Sequence, residues 1–411
     1  MIVEMPPLPK MYRLRQRFDR QAIANPGRVL AERLRSAPAM AGLRPGMRVA
    51  ITVGSRGIAH LGELVAAVVQ VVRERGGEPF IVPAMGSHGG ATAEGQARML
   101  AGLGVDEATV GAPIRSSMDV VLVGQTPSGW PVYCDRLAFE ADWIVVMNRV
   151  KPHTAFKASI ESGLMKMMAV GLGKRRGAET VHRRGLAEGV VEFGRVILAR
   201  APIGIGVAIV ENSDDETYEL AVVPPTEFEE TDRHLLALAR DLLPRLPFDD
   251  LDVLVVREMG KNISGTGMDS NVIGIGRRIG GSHKPEVARL VVLDLTEESH
   301  GNALGVGLAD LTTRRLVDKI DLRATYTNVI TTGFFGSAKL PMILESDQEA
   351  LAVALTGYDP ATVRLAVIKN TLELEEMAIS EGLLEAARSQ PRLTVLEPLG
   401  PLRFDEDGRL L

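Results

Sequence analysis

Five polar residues stand where chemistry could be done on a small anionic molecule: Arg56, His88, His153, Lys166 and His182. Arg56 lies in "GSRG", His88 in "GSHGG" and His153 in "NRVKPHTAF". An arginine between glycines offers a planar fork of N–H donors to a carboxylate, with the backbone free to approach the ligand. Two imidazoles on separate loops can act as base and acid on opposite faces of one carbon. Lys166 sits in "GLMKMMAV". Burial among Leu164, Met165, Met167 and Met168 would lower its amine pKa and let it attack a carbonyl or bond to a cofactor. His182, sixteen residues beyond Lys166, could ligate a metal through a neutral ring nitrogen. Taken singly, each has an ordinary reading: a solvated loop arginine, exposed histidines, a lysine whose stem covers methionines while its amine reaches water.

The elements that must position them give the set its weight. "RVAITVG", "PFIVPAMG" and "ADWIVVMNRV" read as buried strands, and Arg56, His88 and His153 each follow one of them. A helix over "LGELVAAVVQVVRERGG" and another from about Ala93 to Leu103 separate the first strands. Such alternation predicts a parallel sheet, with functional loops at the carboxyl ends of its strands. "DVVLVG" and "PVYCDRL" form a predicted hairpin, and "GLMKMMAV" opens a helix for which Ser162 is a candidate cap. The glycines and basic residues of "GLGKRRGA" suit an anionic group such as a phosphate.

The fold class expected is α/β, with two α/β domains, mainly parallel sheets and an active-site cleft between them. Prolines and acidic residues in "LPRLPFDDLD" place the boundary at 248, giving domains 1–248 and 249–411. The second repeats the α/β pattern, with "VARLVVLDL" as a strand and "NALGVGLADLTTRRLVDKI" as a helix; its last ~20 residues are a candidate for packing back on the first domain.

Composition narrows the class of function. A net charge of −5 leaves no nucleic-acid or membrane footprint, and the longest apolar runs are too short to span a bilayer. One cysteine, Cys134, excludes intramolecular disulfides and cysteine-built metal sites. With no apolar leader at the N-terminus, a cytoplasmic enzyme is the expected class. No strand leads into an intact GxGxxG, which argues against a nicotinamide dehydrogenase.

Together, "GSRG", "GSHGG", "KPHTAF…ESGLMK", the histidine after that lysine and "GTGMDSN" resemble the nickel-dependent lactate racemase family. The resemblance implies a nickel-pincer nucleotide linked through Lys166, with His182 on the nickel. It implies His88 and His153 as the acid/base pair and Arg56 on the substrate carboxylate. In that mechanism a 2-hydroxy acid loses its hydroxyl proton to one histidine and its C2 hydride to the cofactor, then recovers both on the other face. The family's second-domain lysine falls nearest Arg277, with Lys261 as another candidate. No acidic residue precedes the arginine, where Val53 and Gly54 stand, and "KASIES" lengthens the segment before Lys166. The expected substrate is therefore a longer or sugar-like 2-hydroxy acid rather than lactate. Two other classes are kept beside it: a zinc hydrolase built on His88, His153 and His182, and a non-catalytic binding protein for an anionic ligand.

Overall fold

The structure, a computed structural model, describes residues 4–411, and of residues 331 and 332 the backbone alone. The chain separates into two compact units, Asp19–Leu243 and a second made of Met1–Phe18 with Pro244–Leu411.

In the first unit a five-stranded sheet runs in the order Glu78–Pro83, Arg48–Val53, Trp143–Arg149, Ile203–Glu211, Thr217–Val223. All pairs are parallel except the last. Its inner strands are mostly apolar because both faces are covered. Ala50, Ile144, Val146, Ala208 and Val210 face one core, shared with Leu164, Met168, Phe193 and Leu236. Their neighbours Val49, Ile51, Val145, Val207 and Ile209 face the other, packed on Leu64, Val68 and Val72 of the helix Leu61–Glu74. The predicted hairpin forms as a separate pair, Val120–Gln125 with Pro131–Asp135.

The second unit holds, among the described residues, an eight-stranded sheet. Met342–Leu344, Leu311–Thr313, Glu286–Val292, Asp250–Val256 and Leu365–Ile368 are parallel; Glu376–Ser380, Lys10–Gln16 and Leu393–Pro401 complete it antiparallel. The molecule is α/β with mainly parallel sheets.

Two features depart from the sequence reading. The strand Lys10–Gln16, in a stretch assigned above to the first domain, lies between two strands of the second unit. The C-terminal strand pairs with it there, so the last residues do pack on the N-terminal segment, but within the second unit. The helix expected over "NALGVGLADLTTRRLVDKI" is broken instead. Leu311–Thr313 joins the sheet as a buried strand, and only Arg314–Asp318 is helical. Gly305 at φ +102° and the wall of backbone against Gly307 interrupt the helical period first.

Candidate active site

Three neighbouring parallel strands end on the same edge of the five-stranded sheet, and each leads into a loop carrying one of the polar residues. Val53 leads to Arg56, Pro83 to His88, and Arg149 to His153. The first two loops are joined by a hydrogen bond between the Ser55 hydroxyl and Nδ1 of His88. The His88 loop is tied to the Lys166 segment, because the N–H of Gly86 donates to the carbonyl of Gly171 at 3.2 Å. Gly86 sits at φ +58° with a Cβ position 3.2 Å from the Val170 carbonyl, a place only glycine fills without strain.

Electrostatics shows which of these groups share a neighbourhood. Burial lowers the pKa of His88 first, and the positive fields of Arg56, Lys166 and His182 lower it further. Lys166 is pulled down to about 7, by burial and then by Arg56, with Glu161 opposing. His182 is lowered by burial and then by Lys166. His88 and His182 keep exposed surface and Lys166 is half-buried, so these shifts belong to a partly wet site rather than a sealed core. His153 joins the group through Phe156, whose ring lies 4.6 Å from its imidazole and 5.7 Å from the Lys166 amine. Arg56, His88, His153, Lys166 and His182 are thus brought into one cluster.

The helix that carries Lys166 is held by a residue the sequence reading missed. Asp232, on the helix Phe228–Leu242, accepts the N–H groups of Leu164 and Met165 at 2.9 and 2.8 Å. It satisfies the open first turn that Ser162 was expected to cap. The Ser162 hydroxyl instead bonds to both the N–H and the carbonyl of Lys151. Gly163 at φ +83° makes room, since a Cβ there would lie 2.1 Å from the Asp232 carboxylate. Burial pushes the Asp232 carboxyl up to about 7, against the pull of those two N–H groups. After Lys166 the chain winds as a π-helix over Met167–Leu172, a geometry that often marks functional segments.

In "GLGKRRGA", which composition suits to an anionic group, the lysine is committed to the protein interior. Lys174 is fully buried at φ +51°, ion-paired with Asp135 at 3.0 Å and bonded to the carbonyls of Pro83 and of the Gln96 side chain. Gln96 in turn donates to the carbonyls of Gly86 and His88 at 3.0 and 3.2 Å. One buried network therefore joins the start of the His182 helix to the His88 loop. Arg175 pairs with Glu179, and Arg176 lies over the ring of Tyr133. The signal in the sequence was faint: a lysine directly after "GLG", indistinguishable from a surface residue.

The two candidates from the second unit are engaged within it. The Arg277 guanidinium donates to the carbonyls of Leu308 and Val287 and to Asp310, at 2.7–2.9 Å. Lys261 donates from its amine to the carbonyl of Gly265. Among the described residues no three His, Cys, Asp or Glu side chains form a group that could hold a metal ion. The three-histidine zinc site is therefore not assembled. No described helix is long and apolar enough to cross a membrane.

The family model of the lactate racemase N-terminal domain matches residues 16–191, the segment containing all five residues. No curated protein matches the chain. Among solved structures, the lactate racemase apoprotein from Thermoanaerobacterium thermosaccharolyticum has the same fold, at 12% identity and a TM-score of 0.57, over 86% of this chain and 93% of that one. The stretch that matches this family model, residues 16–191, is the one that supplies the strand-end cluster.

Proposed function

We propose that the protein is a racemase or epimerase of a 2-hydroxy acid that works with a nickel-pincer nucleotide. The observation that carries the proposal is the cluster itself. Arg56, His88, Lys166 and His182 come from separate segments into one field, and the pKa of each of the last three is depressed. Among the described residues none of the four has a carboxylate within ion-pair distance, so the cluster suits an anionic ligand.

The donor set fits the proposed cofactor. An amine titrating near 7 is substantially neutral at physiological pH and is a competent nucleophile for attachment, the role proposed for Lys166. His182, held neutral, keeps a ring lone pair for a borderline metal such as nickel. One protein imidazole suffices when the bound group brings the remaining donors, which is compatible with the lack of a three-residue metal cluster among the described residues. When bound, the cofactor would supply reversible removal of the hydrogen on C2.

The remaining steps belong to the chain's own side chains. Arg56 holds the substrate carboxylate through its guanidinium fork. His88, kept neutral by its surroundings, takes the hydroxyl proton of one enantiomer; His153 serves the opposite face. The hydrogen bond with Ser55 orients the His88 ring, since a hydroxyl can donate to or accept from Nδ1. The substrate proposed is a small molecule larger or more polar than lactate. The test is production of wild type and Lys166→Ala with and without the cofactor-synthesis machinery, read by intact mass, nickel content and stereochemical interconversion of a panel of 2-hydroxy acids. A mass increment and nickel in wild type alone, with interconversion of one acid, is the expected result. Protein without increment, nickel or interconversion would overturn the reading.

A further inference from the structure

The loop between His153 and Lys166 has an inner scaffold that the proposed reaction does not use. Its base is closed by Ser162, whose hydroxyl receives the N–H of Lys151 at 2.6 Å and donates to the carbonyl of Lys151 at 2.7 Å. Inside it lies the carboxylate of Glu161, with no exposed surface. One oxygen accepts the N–H of His153 at 2.7 Å, the other that of Ala158 at 3.2 Å. Arg240 donates to the same carboxylate at 2.7 Å and to the Ala158 carbonyl at 3.0 Å, while the Lys157 amine stands 3.7 Å away.

A buried carboxylate is costly, and an apolar residue of similar size often fills such a space with equal or better stability. An apolar side chain cannot, however, fix the directions of two backbone N–H groups at once. Both oxygens are committed to the loop and to Arg240, which makes the carboxylate a hub for loop geometry. The N–H it orients is that of His153 itself. Arg240 comes from the helix Phe228–Leu242, two turns beyond the Asp232 that caps the Lys166 helix. One outer helix therefore reaches inward twice, once toward each of the two site segments.

We propose that Glu161 and Arg240 form a positioning pair for His153, holding its loop in the orientation that proton transfer requires. The inference rests on the reading of His153 as an acid/base residue. Both members would act through the loop, not on the substrate. Asp232 does the corresponding work for Lys166, so the two anchors should be separable.

The experiment uses the full chain, loaded with cofactor, as wild type, Glu161→Leu, Arg240→Met and Asp232→Asn. Amide hydrogen exchange is followed by mass spectrometry in peptides covering 151–162 and 163–172. Exchange in 151–162 should accelerate about tenfold in Glu161→Leu and Arg240→Met, with 163–172 unchanged, because only local opening is made easier. Asp232→Asn should show the reverse pattern. With a turned-over 2-hydroxy acid, kcat should fall about tenfold in the first two variants while KM changes less than about twofold, the signature of a displaced proton-transfer group. The mass increment at Lys166 should persist in both. Arg240→Met is the more telling variant, since Glu161 remains and only its outer anchor is gone. Unchanged exchange, acceleration spread over the whole chain, or local acceleration with unaltered kcat would each overturn the proposal. The exchange result is read whether or not any acid is turned over, so it fails separately from the racemase reading.

Discussion

Arg56 and Arg277 both stand beside glycines in α/β units, and the molecule treats them differently. Arg277 is bound into its own unit by two carbonyls and Asp310. Other cations of the second unit are paired too: Arg315 with Asp294 and Asp347, Lys319 with Asp294 and Glu297, and Arg364 with Asp252. Arg56 has no ion pair among the described residues, and its charge instead depresses the pKa values of His88 and Lys166. The contrast teaches where to look for function in a chain rich in charge. Cations that meet carboxylates hold the fold; a cluster of cations without them is the candidate for a ligand.

The largest expected effect that would break this comparison lies at the histidines. His88→Gln and His153→Gln should each lower turnover by ~10²–10⁴ with cofactor loading unchanged, as loss of general acid–base catalysis does. A loss under tenfold in both would mean that the cluster is not catalytic.

Lys174 sharpens the comparison, because it is a paired cation inside the same unit as Arg56. Lys174→Met leaves Asp135 buried without its partner and should cost about 3–5 kcal/mol in urea unfolding. Adding Asp135→Asn should recover part of that loss. A single variant as stable as wild type would show that the pair does not hold the His88 loop and the His182 helix together.

Next in size is the exchange of roles between the two arginines. Arg56→Lys should raise KM about tenfold, about 1.4 kcal/mol, by losing a bidentate contact to carboxylate. Arg277→Ala should instead lower unfolding stability by about 1–3 kcal/mol through its orphaned acceptors. Arg277→Ala moving KM with stability intact would reverse the assignment.

The smallest effect is a slope. The Asp232 carboxyl titrates near 7 in the folded protein against an ordinary 3.8. Between about pH 4 and 7 the unfolded chain has released this proton while the folded chain keeps it, so the folded form binds more protons and its stability falls as pH rises through that window. Asp232→Asn should flatten this part of the stability profile measured by urea midpoints. An unchanged slope would show that Asp232 is ionised throughout.

Much of this arrangement is legible in the amino-acid sequence. Strand ends and glycine-flanked polar residues are local signals, and they locate Arg56, His88 and His153 on adjoining loops. Lys166 announces itself because a charge among methionines breaks the apolar pattern. Asp232, Glu161, Gln96 and Lys174 are not legible, because each acts on a partner far along the chain or looks locally like a surface residue. Asp232 sits in "EETDRHL", where only the docking of that helix onto Gly163 reveals its task. The N-terminal strand is hidden for the same reason: its partners, Glu376–Ser380 and Leu393–Pro401, lie at the other end of the chain. The broken helix near Leu311 shows the opposite failure, in which a helical pattern yields to a place in a sheet.

The central claim is that the strand-end cluster inverts a 2-hydroxy acid at C2. It is tested most directly with C2-deuterated acids of one hand, incubated in ordinary water with cofactor-loaded protein and followed by chiral separation and mass spectrometry. The predicted result is inversion with the deuterium retained at C2, because that hydrogen leaves and returns without meeting solvent. Inversion with deuterium lost to water, or no inversion of any acid by nickel-loaded protein, would contradict it.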